Sequence, residues 1–314
     1  MTRYIVRRLL TAVPTLVIIS MVIFGILALA PGDPLGQLAA NPDVPPEVRQ
    51  NILHQMGLDQ PIPIRYAKWA MSWATGNWGY SFASHISVAR LLLQRLPTDL
   101  WVIGSGYLIA VMIAIPVGVL SAVKQYSLLD QVATTSAFIG YSLPTFFTGV
   151  LMIIIFSVRL HWLPFIYNVQ VRDPVRMLQQ AIMPVAVLAL FQSAVLTRFV
   201  RSSMLDNVGQ DYVRTARAKG LAQHRVIIRH VLRNGLIPIV TLIALQLPTV
   251  FTGAVVTEQI FRVPGVGSLL IASIQNSDTP VVMAIAFVAA ILVVLLNIAA
   301  DVVYGALDPR IRYG

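Results

Sequence analysis

The sequence predicts an all-α polytopic membrane protein: six transmembrane helices, both termini cytoplasmic, and an external cap region after the first helix. Three observations carry that reading. Of the 314 residues, 57% are hydrophobic and only 11% charged, whereas a soluble domain carries about a quarter charged residues. The apolar residues form runs of about 20, enough for a helix to cross about 30 Å of hydrocarbon, not the alternating pieces of about ten that a barrel shows. Lys and Arg flank the runs more densely on one side, as cytoplasmic loops do.

Six runs have the required length: residues 9–30, 99–123, 133–158, 181–197, 236–257 and 281–303. Helices satisfy their backbone N–H and C=O groups within one segment, so each run is read as a helix. The first follows Arg3, Arg7 and Arg8 and ends in Ala28-Leu29-Ala30, a pattern that also fits a signal-peptidase site. A signal peptide has an apolar core of only about 7–15 residues, and the greater length here favours a retained anchor. Residues 1–30 are thus an N-terminal cytoplasmic segment plus the first span. Residues 31–98 are the external cap, and 99–314 the five-helix permeation core.

The cap is rich in turn formers, for example Pro31-Gly32-Asp33-Pro34 and Asn41-Pro42-Asp43, and carries Tyr66, Trp69, Trp73 and Trp78, suited to a membrane interface. A segment this small without disulfides is marginal alone, so it is expected to pack on the membrane part. With the N-terminus inside, the cytoplasmic face carries Arg3, Arg7, Arg8, Lys124, Arg310 and Arg312. It also carries the dense run Arg198, Arg201, Arg214, Arg217, Lys219, Arg225, Arg229 and Arg233. Together these are fourteen of the 23 Lys and Arg. The net charge of +10 is therefore assigned to topology and anionic lipid, and no nucleic-acid partner is expected.

Composition also bounds the chemistry. The absence of cysteine excludes disulfides and thiolate metal sites. No Gly-x-x-x-x-Gly-Lys-Ser/Thr loop is present, so ATP phosphates have no such cradle. His54, His85, His161, His224 and His230 are scattered, and no metal site or catalytic residue is assigned. The span interiors hold no Asp, Glu, Lys, Arg or His; Asp99, Glu258 and Asp301 fall at predicted edges, within reach of water or headgroups. An ion-coupled carrier generally needs ionisable groups within its helices, which disfavours, without excluding, a secondary carrier or channel.

The interiors hold instead neutral polar groups and helix breakers. Tyr141, Ser142 and Pro144 interrupt the third span, Gln192 lies in the fourth, and Gln246 and Thr252 lie in the fifth. These six are candidates for a neutral translocation path, with proline freeing carbonyls that neighbours or water re-satisfy. Ordinary interhelical packing uses the same residue types. The cytoplasmic loop 198–235 is sharper. Residues 211–221 read as a short helix stopped by Gly220, preceded by basic residues. Small residues Ala216 and Ala218 suit seating in a partner's groove. Arg225, Arg229 and Arg233 share one helical face, which suits either a partner or anionic lipid.

The chain resembles the membrane permeases of binding-protein-dependent ABC importers, in the dipeptide/oligopeptide/nickel group. The resemblance runs through Pro31-Gly32-Asp33-Pro34, Met56-Gly57-Leu58-Asp59-Gln60-Pro61, Ser142-Leu143-Pro144-Thr145-Phe146 and Trp162-Leu163-Pro164. It continues through residues 212–221, Glu258-Gln259-Ile260-Phe261, Pro264-Gly265-Val266-Gly267 and the ending Leu307-Asp308-Pro309-Arg310. It implies that Tyr212, Arg214, Thr215, Ala216, Arg217, Lys219, Gly220 and Leu221 form a coupling loop that docks on a separate ATPase. Arg214 stands where the broad importer pattern has Glu, and Asn77 where an aspartate is expected. The implied partners are a second homologous permease, two ATP-binding-cassette ATPases that hold ATP and Mg, and a periplasmic or lipid-anchored solute-binding protein. The implied location is the bacterial or archaeal cytoplasmic (inner) membrane. The implied cargo is a short peptide, a nickel chelate, a sugar or another small solute, with no cofactor on this chain.

Overall fold

The computed structural model describes residues 2–29, 54, 59–248, 250 and 254–307. Among them the chain is helical, with no β-strand beyond a single Tyr80–Ser87 bridge. In order the helices are α1 (Thr2–Leu29), α2 (Ile62–Ala74), α3 (Val88–Val123), α4 (Leu128–Ser142) and α5 (Thr145–Arg159). They continue with α6 (Pro174–Val208), α7 (Asp211–Ala218), α8 (Gln223–Gln246), α9 (Val255–Phe261), α10 (Val266–Gln275) and α11 (Thr279–Leu307). α1, α3, α6, α8 and α11 are each long and apolar enough to cross a membrane, and α4–α5 and α9–α10 pass the same test as bent pairs.

Local chemistry explains several of these elements. Leu143 precedes proline, which disfavours the α region; it takes φ −83°, ψ 124°. Pro144 then opens α5, and the chain bends by 97° between α4 and α5. Asp173 starts α6 by accepting from the Val175 N–H at 3.3 Å, with Pro174 in the first turn. The 35 residues of α6 span about 52 Å at 1.5 Å each, more than the hydrocarbon thickness, so α6 projects beyond the bilayer core. α3 contains Pro97 and widens into π-type turns over Leu100–Gly104, a local re-registration of the kind that follows a missing donor.

The most extensive helix contact among the described residues joins α3 to α6. Its basis is a ridge of small residues four apart on α3, Gly106, Ala110, Ala114, Gly118 and Ala122, all buried. Side chains at this spacing share one face, and small ones let backbones approach where lipid supplies no hydrophobic drive between helices. A Cβ on Gly118 would stand 2.6 Å from the Val200 Cβ and 3.0 Å from the Thr197 carbonyl oxygen. A Cβ on Gly106 would stand 3.0 Å from the Leu188 Cβ. α4 joins the pair through Gly140, whose Cβ would lie 3.2 Å from that of Ala194.

Two clusters define opposite ends of the bundle. At one, Ala122 of α3, Val200 and Met204 of α6, Val213 and Ala216 of α7, and Val226, Ile227, Val231 and Ile239 of α8 form a buried core. At the other, Val88, Leu91 and Leu92 of α3 pack with Val266 of α10 and Val281, Ala284 and Ile285 of α11. The α2 helix covers that second end with an aromatic cluster. Trp73 stacks on Trp78 at 4.4 Å, Trp69 meets Phe287 of α11 at 5.5 Å, and Tyr66 meets Phe24 of α1 at 5.6 Å. The buried Asp278 accepts from the Ser81 hydroxyl and from the N–H groups of Phe82 (3.0 Å) and Ala83 (3.3 Å), fixing the turn before α3. The expected packing of the cap on the membrane part is thus present over 59–87; residues 31–53 and 55–58 lie outside the described residues.

Several expectations are corrected. The run 133–158, expected as one span interrupted near Pro144, is the pair α4–α5 bent by 97° at that interruption. The span expected at 236–257 begins at Gln223, and that expected at 181–197 extends over Pro174–Val208, so much of the loop 198–235 is helical. The boundary at 98/99 divides a continuous helix, α3. The α9–α10 pair, bent by 88°, was not anticipated as helices. Asp99 and Glu258 are not at wet edges; both are buried. Their carboxylates accept from the N–H groups of Val266 (2.8 Å) and Ser268 (2.6 Å) at the start of α10.

The α3–α6 seam gives a direct stability test. Gly118→Val overpacks it against Val200, and such overpacking costs about 1–3 kcal/mol or more. The detergent-solubilised protein is expected to lose several degrees of thermal midpoint. Gly25→Ala, where a Cβ meets nothing within 4 Å, is expected to melt with the wild type.

Candidate functional site

The residues expected to meet a partner lie on α7 and its exit. Asp211 in the first turn and Arg217 in the last both suit the helix dipole. Lys219 is the C-cap, and Gly220 takes φ +76°, the left-handed conformation that glycine adopts at least cost. The Gly220 N–H donates to the Arg217 carbonyl at 2.9 Å and the Leu221 N–H to that of Ala216 at 3.3 Å. This pair of bonds is a Schellman closure. No neighbour lies within 4 Å of a Cβ on Gly220, so glycine is needed there for its dihedral, not for space.

α7 divides sharply by face. Val213 and Ala216, three apart, are buried against α3, α6 and α8. Tyr212, Arg214, Thr215, Arg217, Lys219, Gly220 and Leu221 are exposed. Ala216 therefore faces the protein's own core, which corrects its expected role as a small residue offered to a partner; Ala218 is exposed. Most of the exposed side chains lack strong ties within the chain. Arg214 reaches Asp211 only at 3.6 Å across open surface, a pairing worth little. The Tyr212 hydroxyl donates to Asn207 Oδ1 at 2.8 Å, and the Asn207 amide donates to the Ser203 carbonyl at 2.8 Å, which ties α7 to the end of α6. The Ser203 hydroxyl donates to the Gly235 carbonyl at 2.7 Å, extending the link to α8.

A charged clamp borders this end. Arg201 of α6 donates from Nε and Nη2 to the two carboxylate oxygens of Asp130 at 2.7 and 2.8 Å. Asp130 also accepts from the Ser121 hydroxyl of α3 and from the Tyr126 N–H at 2.9 Å. A bidentate Arg–carboxylate pair fixes geometry as well as charge. It holds together the end of α3, the start of α4 and the last third of α6. In the sequence Arg201 reads as a topology signal and Asp130 carries no assignment. The only signal was a carboxylate at the first turn of a helix, which many unremarkable helices share.

The translocation-path candidates divide. Tyr141, Ser142 and Pro144 are exposed at the α4–α5 bend. Tyr141 stacks on Phe191 of α6 at 6.1 Å, with the Arg198 guanidinium 5.4 Å from its ring centroid. That contact brings the bend beside Gln192, half-buried on α6. Gln246, also half-buried, ends α8, and Thr252 lies outside the described residues. The structure thus groups the third- and fourth-span candidates around one break in the helices.

Comparison with known proteins adds to this geometry. Residues 114–313 match the family model described as binding-protein-dependent transport system inner membrane component, and residues 1–102 match its N-terminal model. The chain is 40% identical to the oligopeptide transport system permease protein AppB of Bacillus subtilis over 318 residues, covering 100% of both chains. It is 36% identical to the dipeptide transport system permease protein DppB of Escherichia coli K12, covering 100% of this chain and 99% of that one. It is also 36% identical to the glutathione transport system permease protein GsiC of another Escherichia coli strain, covering 100% of both.

Because the chain has no cysteine, single cysteines report the α7 faces on a clean background. Cysteines at 214, 217 and 218 are expected to react readily with a maleimide. Cysteines at 213 and 216 are expected to react slower by on the order of tenfold, since thiol reactivity requires access. Equal rates at all five positions would mean that α7 does not pack as described.

Proposed function

The chain belongs to the family of binding-protein-dependent transport system inner membrane components, and on that premise we propose that it is the channel-forming subunit of an ATP-driven importer of short peptides or a related small solute. It is an integral membrane transport protein; its place in the bacterial or archaeal cytoplasmic membrane is part of the proposal. Six crossings with both termini inside follow if α4–α5 is one bent crossing and α9–α10 a re-entrant pair. Two contacts support that count. α4 starts at the Arg201 clamp, whereas the linker after α5 places the Tyr167 N–H on the Phe261 carbonyl at 3.0 Å, at the other end. α10 meets the starts of both α3 and α11, so α9–α10 stays near the end that α2 covers.

The observation that carries the reading is the two-faced α7. A short helix locked by Val213 and Ala216 into a core shared with α3, α6 and α8 offers a basic, otherwise loosely tied surface to the cytoplasm. An ATPase docked there would move three helices through one core. In this proposal ATP and Mg sit on two such ATPases, a second homologous permease completes the pore, and a solute-binding protein delivers cargo to the α2 end. The chain itself is non-catalytic. The three relatives are named as permeases for oligopeptides, dipeptides and glutathione, which supports peptides as the cargo class.

The test is co-purification of the tagged chain from its own membranes in mild detergent. A nucleotide-binding ATPase and a second permease are expected to come with it. Arg214→Glu, Arg217→Glu and Lys219→Glu together, which leave Val213 and Ala216 in place, are expected to lower ATPase recovery at least about tenfold and abolish uptake while insertion persists. A chain that purifies alone and still moves solute without ATP would establish a secondary carrier or channel instead.

A further inference from the structure

At the end of the bundle covered by α2, a cleft of ≈ 380 Å³ opens between α9, α10 and the start of α3. Its lining includes Arg95, Glu258, Gln259, Arg262, Ser268 and Gln275. Glu258 is only 1% exposed; one carboxylate oxygen accepts from the Ser268 N–H and the other, Oε1, has no partner. Behind it Asp99, 0% exposed, accepts from the Val266 N–H and likewise keeps an unpartnered oxygen. Glycines make room for this arrangement. A Cβ on Gly267 would stand 2.8 Å from Glu258 Oε1, and one on Gly265 would stand 2.6 Å from the Glu258 carboxylate carbon. The backbone N–H groups at the helix start satisfy one oxygen of each carboxyl, and a buried polar oxygen without a partner is costly.

Two guanidiniums share the same small cleft. Among the described residues neither Arg95 nor Arg262 makes an ion pair. Arg262 also holds φ +54° at the end of α9, a left-handed conformation unfavourable for a non-glycine residue. Such strain is retained where surrounding structure over-determines it, often at binding sites. The cleft lining thus combines a carboxyl acceptor, Glu258, with two guanidinium donors, Arg95 and Arg262, and has Gln259, Gln275 and Ser268 as neutral groups. A simple anion would face Glu258 and Asp99, and a simple cation would face two guanidiniums. No group of three His, Asp or Glu suited to a metal occurs among the described residues.

We propose that this cleft binds the two charged termini of a short peptide: the ammonium on the unpartnered oxygen of Glu258, backed by Asp99, and the carboxylate on Arg262 and Arg95. The inference rests on the peptide-importer reading and adds a site to it. The volume lies at the small end of ligand pockets. Arg suits the carboxylate because its planar fork donates two parallel hydrogen bonds. A peptide released at this end would be oriented by both termini before it enters the bundle.

The test uses the assembled transporter in detergent with its ATPases and without the solute-binding protein, probed by equilibrium dialysis with radiolabelled L-alanyl-L-alanine. Wild type is expected to bind it, Arg262→Gln to bind at least tenfold more weakly, and Arg262→Lys to recover part of the loss. L-Alanyl-L-alanine amide is expected to bind wild type weakly and to be insensitive to Arg262→Gln. Glu258 also caps α10, so the ammonium half is tested through the ligand, N-acetyl-alanyl-alanine being expected to bind at least tenfold more weakly than dialanine. The proposal is overturned if wild type fails to bind dialanine, if Arg262→Gln leaves its affinity unchanged, or if that substitution weakens dialanine and its amide alike. Uptake of dialanine by cells carrying the intact system separates the two readings. Uptake without binding at the cleft leaves the importer reading standing and removes the site, whereas absence of peptide uptake in wild type removes both.

Discussion

The structure depends on one contact, the backbone approach of α3 to α6. In water, two apolar helices associate because association removes surface from solvent, but lipid already solvates that surface, so the drive must come from close packing. Gly106, Ala110, Ala114, Gly118 and Ala122 supply it by presenting almost no side chain at every fourth position from 106 to 122 of α3. The facing positions Leu188, Leu196 and Val200 then fill the space with their own side chains. Neither helix could reach this depth if the ridge carried ordinary residues. The functional clusters at both ends are built onto the ends of this pair.

Charge is treated differently at the two ends. Where α6 extends past the hydrocarbon, Asp130 meets Arg201 in a bidentate pair, and the carboxylate's other contacts come from Ser121 and Tyr126. Both signs are present and satisfied, as a partly buried ion pair requires. At the other end Asp99 and Glu258 have backbone N–H groups but no cation bonded to them, and each keeps an oxygen without a partner. The first arrangement is a complete clamp. The second is incomplete by one donor for each carboxylate, and it lines an opening, which is why it reads as a place for a ligand and the first does not.

The sequence made the fold class legible because bilayer solvation imposes a coarse requirement, long apolar runs with basic flanks, that survives any detail of packing. It made the exposed basic face of α7 legible for a similarly local reason: a glycine C-cap and a dipole-matched turn are properties of adjacent residues. The bend at Pro144 was visible as an interruption, though not as a 97° turn, since the angle depends on what the two halves pack against. Asp99 and Glu258 were misplaced because hydropathy sees only one dimension. They are 159 residues apart in the chain and lie near the limits of apolar runs, yet the α9–α10 pair folds back and buries both. The α3 ridge is not legible in hydropathy because alanine and glycine count merely as apolar in a run, while their spacing of four is what matters to a neighbouring helix.

The geometry also constrains how a push on α7 can travel. Sliding α3 along α6 would drive Val200 and Leu188 against backbone at Gly118 and Gly106, so the pair resists shear at two levels, and packed interfaces of this kind move as units. α7 is fixed to one end of that unit through Ala122, Val200 and Met204, and Asp99 belongs to the same α3 helix at the other. The helices are already broken elsewhere, at Leu143–Pro144 and over residues 262–265. A displacement of the exposed face of α7 would act first on this packed pair.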